Sequence, residues 1–223
     1  LKYGEAFTNK VAAIPGVVSA TLAGSTRRRK ETIGDLDVVV TVADEDHEAV
    51  ANAILNLNGI ADVKGAGDSK ISLILDTSIF EEGFTVGHID SNVLEAIGGD
   101  DYEQLESGGT IDAQVRLVPP HVAAFTLAYF TGSKEHNIAM RQRAISRGLR
   151  LNEFGLIPES EAGELKGMAA AKFSLAATSE QEIYAHLGMQ WVTPELREDT
   201  GEVIAAELNE LPNLIEMSDI RGA

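Results

Sequence analysis

The chain has 223 residues, a formal charge of −17 and no cysteine, with 44 % hydrophobic and 24 % charged residues. That length buries a sizeable core in one large domain or two small ones, and the missing cysteines exclude disulfides and thiolate metal sites. No run nears the ~20 apolar residues of a membrane span, and the opening "LKYGEAFTNK" lacks the apolar centre of a signal peptide.

From these absences alone, the cytoplasm is the expected address. The acidic balance sits awkwardly with nucleic-acid binding, where phosphate contacts usually ask for a basic excess. Placement of charge therefore counts for more than the sum. Arg27, Arg28, Arg29 and Lys30 form one basic group; Lys134, Arg141, Arg143, Arg147 and Arg150 form another.

In chain order, residues 3–14 read as a short helix ended by "IPG". "VVSATLAGS" is a strand running into a glycine turn, "TRRRKETIG" is polar turn material, and "DLDVVVTVA" is a second strand. "DEDHEAVANAILNLNGI" has acids at its front, where a helix N-terminus favours them, and apolar Val50, Ile54 and Leu57, so it reads as a helix. "ADVKGAG" and "SKISLIL" follow as turn-punctuated strands. Residues 76–110, rich in glycine and acids, are expected to be a loop-rich insertion with "SNVLEAI" helical inside it.

"TIDAQVRLV" alternates cleanly as a strand, and Pro119 and Pro120 end it because proline donates nothing to a ladder. The pattern then turns helical. "HVAAFTLAYFTG" and "KEHNIAMRQRAISRGLR" divide at Gly132, and a short polar-apolar region around "LNEFGL" follows. "SEQEIYAHLG" has capping-box spacing from Ser179 to Glu182, and "TPELRED" and "TGEVIAAELNELPN" offer further helix starts. The expected layout is mixed α/β to about residue 120, then mainly helical.

Asp35 and Asp37 open the second strand. Alternate strand residues share a face, so both carboxylates point one way, about 7 Å apart at the backbone, while Leu36 and Val38 face the core. Two carboxylates so held can grip one or two Mg²⁺ ions bearing phosphate oxygens. Gly24 permits close backbone approach, Ser25 adds a hydroxyl and an N–H, and a nearby arginine pairs with phosphate as a fork. A D-x-D at a strand edge also serves simply to keep the end solvated. The Gly-Ser turn, the arginines and the two acids within one window favour phosphate handling.

"GSTRRRKETIGDLDVVV" resembles the G-S-x-x-R…G-D-x-D signature of the nucleotidyltransferase palm in the bacterial family X DNA polymerases. "YFTGSKEHNIAMRQRAISRGLRLNEFGL", residues 129–156, resembles the start of that family's nucleotide-binding thumb. "LGMQWVTPELRED" and the terminal "DIRG" are similar to the passage toward a C-terminal phosphoesterase (PHP) domain. The resemblance implies an α/β (α+β) nucleotidyltransferase-type palm with a mixed sheet over 1–120, a mainly helical thumb over 121–203 and a linker over 204–223.

By the same resemblance, Asp35 and Asp37 bind metal and are catalytic, and Gly24, Ser25 and Arg28 hold the triphosphate. Tyr129, Phe130 and Gly132 line the sugar, Asn137 touches the base edge, and Arg141 reaches the template strand. Mg²⁺ or Mn²⁺ is the implied cofactor; a dNTP and gapped or primer-template DNA are the implied partners. An N-terminal DNA-binding domain and a C-terminal PHP domain are expected elsewhere in the parent protein. The residue pattern agrees as far as it goes: Asn137 and Arg141, four apart, share a helix face. Tyr129 and Phe130 offer rigid surface for sugar packing, which is preferred to the alternative of ordinary core aromatics.

The family's third carboxylate lies in a D-x-R-x-x-P pattern, matched here by "QVRLVP", residues 114–119. Gln114 stands where the aspartate is expected, and Asp112 lies two residues earlier on the same face. A neutral amide ligates weakly through its oxygen; it neither accepts a proton nor neutralises a cation. Either a strand shift or bulge brings Asp112 in as the third catalytic carboxylate, or transfer is impaired and binding is kept. The second is preferred. Phe154 in "NEF" replaces a usual tyrosine, losing a hydroxyl but not a ring.

The expected function is that of a DNA-directed DNA polymerase segment, extending a primer 3′-hydroxyl in short-gap repair by two-metal phosphoryl transfer. The alternatives are a catalytically impaired nucleotide- or DNA-binding module and a nucleotidyltransferase with another acceptor.

Overall fold

The computed structural model describes residues 2–80, 109–163 and 165–214. The expected helix at "SNVLEAI", most of the insertion around it and the tail from 215 onward lie outside those residues.

Helix α1 (Lys2–Ala12) buries Phe7 and Val11, one turn apart. Gly4 lets it settle close to the sheet, since a Cβ there would stand 3.1 Å from methyls of Leu22 and Leu36. Strand β1 (Val17–Leu22), the single-turn helix α2 (Gly24–Arg27) and strand β2 (Asp35–Val42) follow. The acids expected to open the next helix form a 3-10 turn over Asp44–Asp46, and α3 (His47–Leu55) begins after it, burying Val50 and Ile54. Strands β3 (Ile60–Ala66), β4 (Lys70–Asp76) and β5 (Thr110–Val118) complete a five-stranded sheet in the order β1-β2-β5-β4-β3. Its β2–β5 pair is parallel and its other pairs are antiparallel.

Strand periodicity of two divides this sheet into two chemistries. Leu36, Val38 and Val40 of β2, with Val115 and Leu117 of β5, pack on α1 and α3 in one apolar cluster. The opposite face carries Asp35, Asp37, Asp112, Gln114 and Arg116.

Pro119 and Pro120 do more than end β5. Pro120 takes the first turn of α4 (Pro120–Thr131), where a missing N–H costs nothing and a fixed φ suits the helix. Helix α5 (Lys134–Ser146) is capped by Ser133, whose Oγ accepts from His136 N at 3.2 Å. The "LNEFGL" region is a β-hairpin, β6 (Leu149–Asn152) against β7 (Gly155–Pro158), with Asn152 Oδ1 accepting from Phe154 N at 2.9 Å in the turn. Two single turns, α6 (Glu159–Ala162) and α7 (Met168–Ala171), lead to α8 (Glu180–His186).

Ser179 caps α8 by accepting from Glu182 N at 3.3 Å, while the Glu182 carboxylate reaches one residue further back, to Thr178 N at 2.6 Å. The expected helix start at "TPELRED" is only a 3-10 turn over Pro194–Leu196, and α9 (Glu202–Leu208) closes the described chain. A second core gathers Phe125, Met140, Leu156, Ile183, Tyr184 and Val203. A third, smaller cluster of Ala23, Val39, Val118 and Val122 seats α4 on the charged face of the sheet.

A buried ion triad ties the two halves. Arg27 grips Glu180 as a fork at 2.9 and 2.7 Å, and Arg197 Nη1 donates to the same carboxylate at 2.7 Å. Burial alone would raise the Glu180 carboxyl; the hydrogen bond from Arg27 and the charge and hydrogen bond of Arg197 outweigh it, taking the pKa to about 2. A folded value below the ordinary 4.5 means stability that is present above pH 4.5 and lost as pH falls toward 2. That contribution is roughly 3 kcal/mol.

Glu180→Gln is expected to remove this acid limb and to cost roughly 3–5 kcal/mol at neutral pH, because Arg197 is left charged and fully buried. Chemical denaturation of both proteins at pH 7 and pH 3 measures it: the gap between them should narrow at the lower pH. Among the described residues no helix is long and apolar enough to cross a membrane.

Candidate active site

The site face of β2 and β5 is held in unbroken parallel register, Asp35 opposite Asp112 and Asp37 opposite Gln114. A bulge that would carry Asp112 forward is therefore not realised. Asp112 stays level with Asp35, exposed, and both its oxygens accept from Lys64 Nζ, at 2.6 and 2.7 Å. Gln114, half-buried, is the cross-strand neighbour of Asp37. Among the described residues, no group of three or more acidic or histidine side chains stands ready to hold a metal ion.

Asp37 reports the field of this face. Burial, with the Asp35 carboxylate beside it, pushes its pKa up to about 6, against the opposing charges of Arg116, Lys70 and Arg28. Two acids on one face, one of them held up in this way, are short of positive charge. That donor set fits a divalent cation bearing phosphate oxygens.

Behind the pair lies the turn at Gly24. Its φ of +59° lies in the left-handed region, and a Cβ there would collide with Asp37 Oδ2. Ala23 N donates to Asp37 O at 2.8 Å, so the turn is stitched directly to the strand that carries the acids. Gly24→Ala is expected to displace the Asp37 carboxylate and cost about 1–3 kcal/mol. Melting temperature reads the strain, and metal-dependent turnover reads the displaced acid. Ser25, half-buried, sits in the first turn of α2.

Arg28, just past α2, links the two motif blocks. Its Nη1 donates to Thr131 O at 2.6 Å, directly before Gly132, while its Nε donates to Glu198 Oε1 at 2.8 Å. Tyr129 and Phe130 meet edge-to-face at 5.2 Å, and the Arg116 guanidinium stacks over Phe130 at 4.3 Å. Asn137 Nδ2 donates to Tyr129 O at 2.7 Å, and Arg141 Nε to Asn137 O at 3.2 Å. Tyr129, Asn137 and Arg141 line one apolar cleft with Phe125, Met140 and Leu151.

The structure thus brings together Gly24, Asp37, Arg28 and the Thr131–Gly132 turn, with Tyr129, Asn137 and Arg141 in the adjoining cleft. Sequence reasoning missed the acidic side of this arrangement. The whole basic run is paired with glutamates far along the chain: Arg27 with Glu180, Arg28 and Lys30 with Glu198, and Arg29 with Glu195.

A family model for the DNA polymerase beta thumb matches residues 126–198. The chain is 35 % identical over 207 residues to the DNA polymerase/3′-5′ exonuclease PolX of Bacillus subtilis, covering 92 % of this chain. The chain is similar to family X DNA polymerases along nearly its whole length. Another family X member, DNA polymerase lambda of Arabidopsis thaliana, is 31 % identical over 82 % of this chain. The chain spans 28 % of the length of the first relative and 32 % of the second.

Among solved structures, the ternary P/T complex of Leishmania infantum polymerase beta matches with a TM-score of 0.65 at 21 % identity, over 88 % of this chain and 73 % of that one. Its ternary gap complex matches at 0.65 and 20 %, over 88 % and 68 %. At that identity the likeness establishes the fold: a mixed α/β sheet followed by a thumb. The thumb carries a hairpin among its helices.

Proposed function

We propose that this chain is the palm and thumb of a DNA-directed DNA polymerase, adding a deoxynucleotide to a primer 3′-hydroxyl in short gaps of DNA. Residues 1–120 act as palm, 121–203 as thumb, and the remainder leads toward further domains of a bacterial, cytoplasmic protein. The observation that carries the reading is Arg28, which joins the Gly24 turn behind Asp37 to the Thr131–Gly132 turn at the end of α4.

Asp35 and Asp37 hold divalent metal, Mg²⁺ or Mn²⁺, which when bound neutralises charge on the phosphates and the attacking oxygen. Gly24 and Ser25 offer backbone N–H groups and a hydroxyl to the triphosphate, and Arg28 offers its fork. Tyr129, Phe130 and Gly132 line the sugar, Asn137 meets the base edge, and Arg141 meets the template strand. The 3′-oxygen attacks the α-phosphorus and pyrophosphate leaves; what the protein supplies is mainly alignment and electrostatics.

Gln114 supplies no charge and accepts no proton, and Asp112 is held by Lys64, so transfer runs slowly in this chain. The same two observations favour a second reading, a nucleotide- and DNA-binding module with negligible turnover. Extension of a one-nucleotide gap with each dNTP, opposite each template base, tests the assignment. Incorporation governed by the template is expected; incorporation indifferent to it points to a nucleotidyltransferase with another acceptor.

A further inference from the structure

The glutamates that meet the basic run differ in how firmly they are set. Glu180 is 5 % exposed between Arg27 and the fully buried Arg197, so neither partner can leave without stranding a charge. Glu198 is different. Its side chain is 28 % exposed, and it lies just past the 3-10 turn in the polar stretch "REDTG". One carboxylate oxygen accepts from Arg28 Nε at 2.8 Å and the other meets Lys30 Nζ at 3.5 Å. This carboxylate can move into water at little cost.

Arg28 is the guanidinium that, on the reading above, receives the triphosphate. Its side chain is 13 % exposed, with Nη1 already committed to Thr131 O. The Nε edge is therefore a large part of what it has left to offer, and Glu198 occupies that edge with the charge-assisted geometry a phosphate oxygen uses.

We propose that Glu198 is an intramolecular stand-in for a substrate phosphate, competing with the nucleoside triphosphate for Arg28 and setting the affinity of the site. The fraction of molecules with Arg28 free scales the apparent affinity, so holding the guanidinium in an ion pair weakens nucleotide binding by that fraction. Glu198 also keeps Arg28 and Lys30 neutralised while no nucleotide is bound, in a chain of net charge −17. The proposal rests on Arg28 being a triphosphate ligand; the experiment tests the two separately.

Binding of dGTP with Mg²⁺, without DNA, is measured by calorimetry on this chain and its variants. Glu198→Gln and Glu198→Ala are expected to bind about three- to tenfold more tightly than the parent. Glu195→Gln removes the same charge from the exposed Arg29 pair and is expected to stay within about twofold, which separates competition from net charge. In an Arg28→Ala background, Glu198→Ala should change nothing.

If Arg28→Ala weakens binding but both Glu198 variants bind no tighter than the parent, Glu198 is a support for Arg28 and the proposal is overturned, with the triphosphate reading intact. Equal tightening by Glu195→Gln overturns it as a mere charge effect. If Arg28→Ala leaves binding unchanged, the triphosphate reading fails and the proposal falls with it.

Discussion

Gln114→Asp is expected to raise metal-dependent nucleotide incorporation by about two to four orders of magnitude, the usual worth of a positioned acid-base group. The substitution shortens the side chain by one methylene at a half-buried site facing Asp37, so it fits without repacking. It supplies what the amide lacks: a charge that balances bound cation and an oxygen that takes a proton. Single-turnover rates on one gapped duplex measure it. Asp112→Ala is the companion, expected to change the parent rate little because Asp112 is already held by Lys64 through both oxygens. A silent Gln114→Asp together with an inactive Asp112→Ala would make Asp112 the third carboxylate and overturn the account of Gln114.

Removing the acidic pair has the opposite sign. Asp35→Ala/Asp37→Ala is expected to lower incorporation by at least about 10³-fold, since a bound metal is worth several kcal/mol of transition-state charge. It should also abolish Mn²⁺ binding followed by electron paramagnetic resonance. The fold should not suffer. Burial and the neighbouring acid already push Asp37 up to about 6, so this pair strains the sheet face rather than holding it together. An unchanged or higher melting temperature with lost Mn²⁺ binding is the expected combination; a collapse of stability would mean the acids serve the fold.

The acids were legible in the sequence because one physical rule suffices: a strand alternates, so Asp35 and Asp37 share a face whatever lies elsewhere. Gln114 was singled out by the family resemblance, whose D-x-R-x-x-P frame is met here at Arg116 and Pro119; alternation adds only that Asp112 shares its face. The hairpin at Leu149–Pro158 was not, because four-residue strands give too few alternations to stand out and its turn relies on one side-chain bond from Asn152. The glutamate clamp was invisible on different grounds. Arg27 and Glu180 are 153 positions apart and Arg28 and Glu198 are 170 apart, and no local pattern marks either partner. Arg27–Lys30 read in isolation as free positive charge; in the fold, all four are spoken for. Lys64 on Asp112 is likewise a product of sheet order, reaching from β3 across β4 to β5.

The measurement that bears most directly on the account is extension of a labelled primer across a one-nucleotide gap with the complementary dNTP. It is run with Mg²⁺ and with Mn²⁺, using the unaltered chain, Gln114→Asp and the Asp35→Ala/Asp37→Ala blank. The expected result is slow extension that requires metal, vanishes in the blank and accelerates sharply in Gln114→Asp. Absence of extension in all three, or extension that survives in the blank, would contradict it.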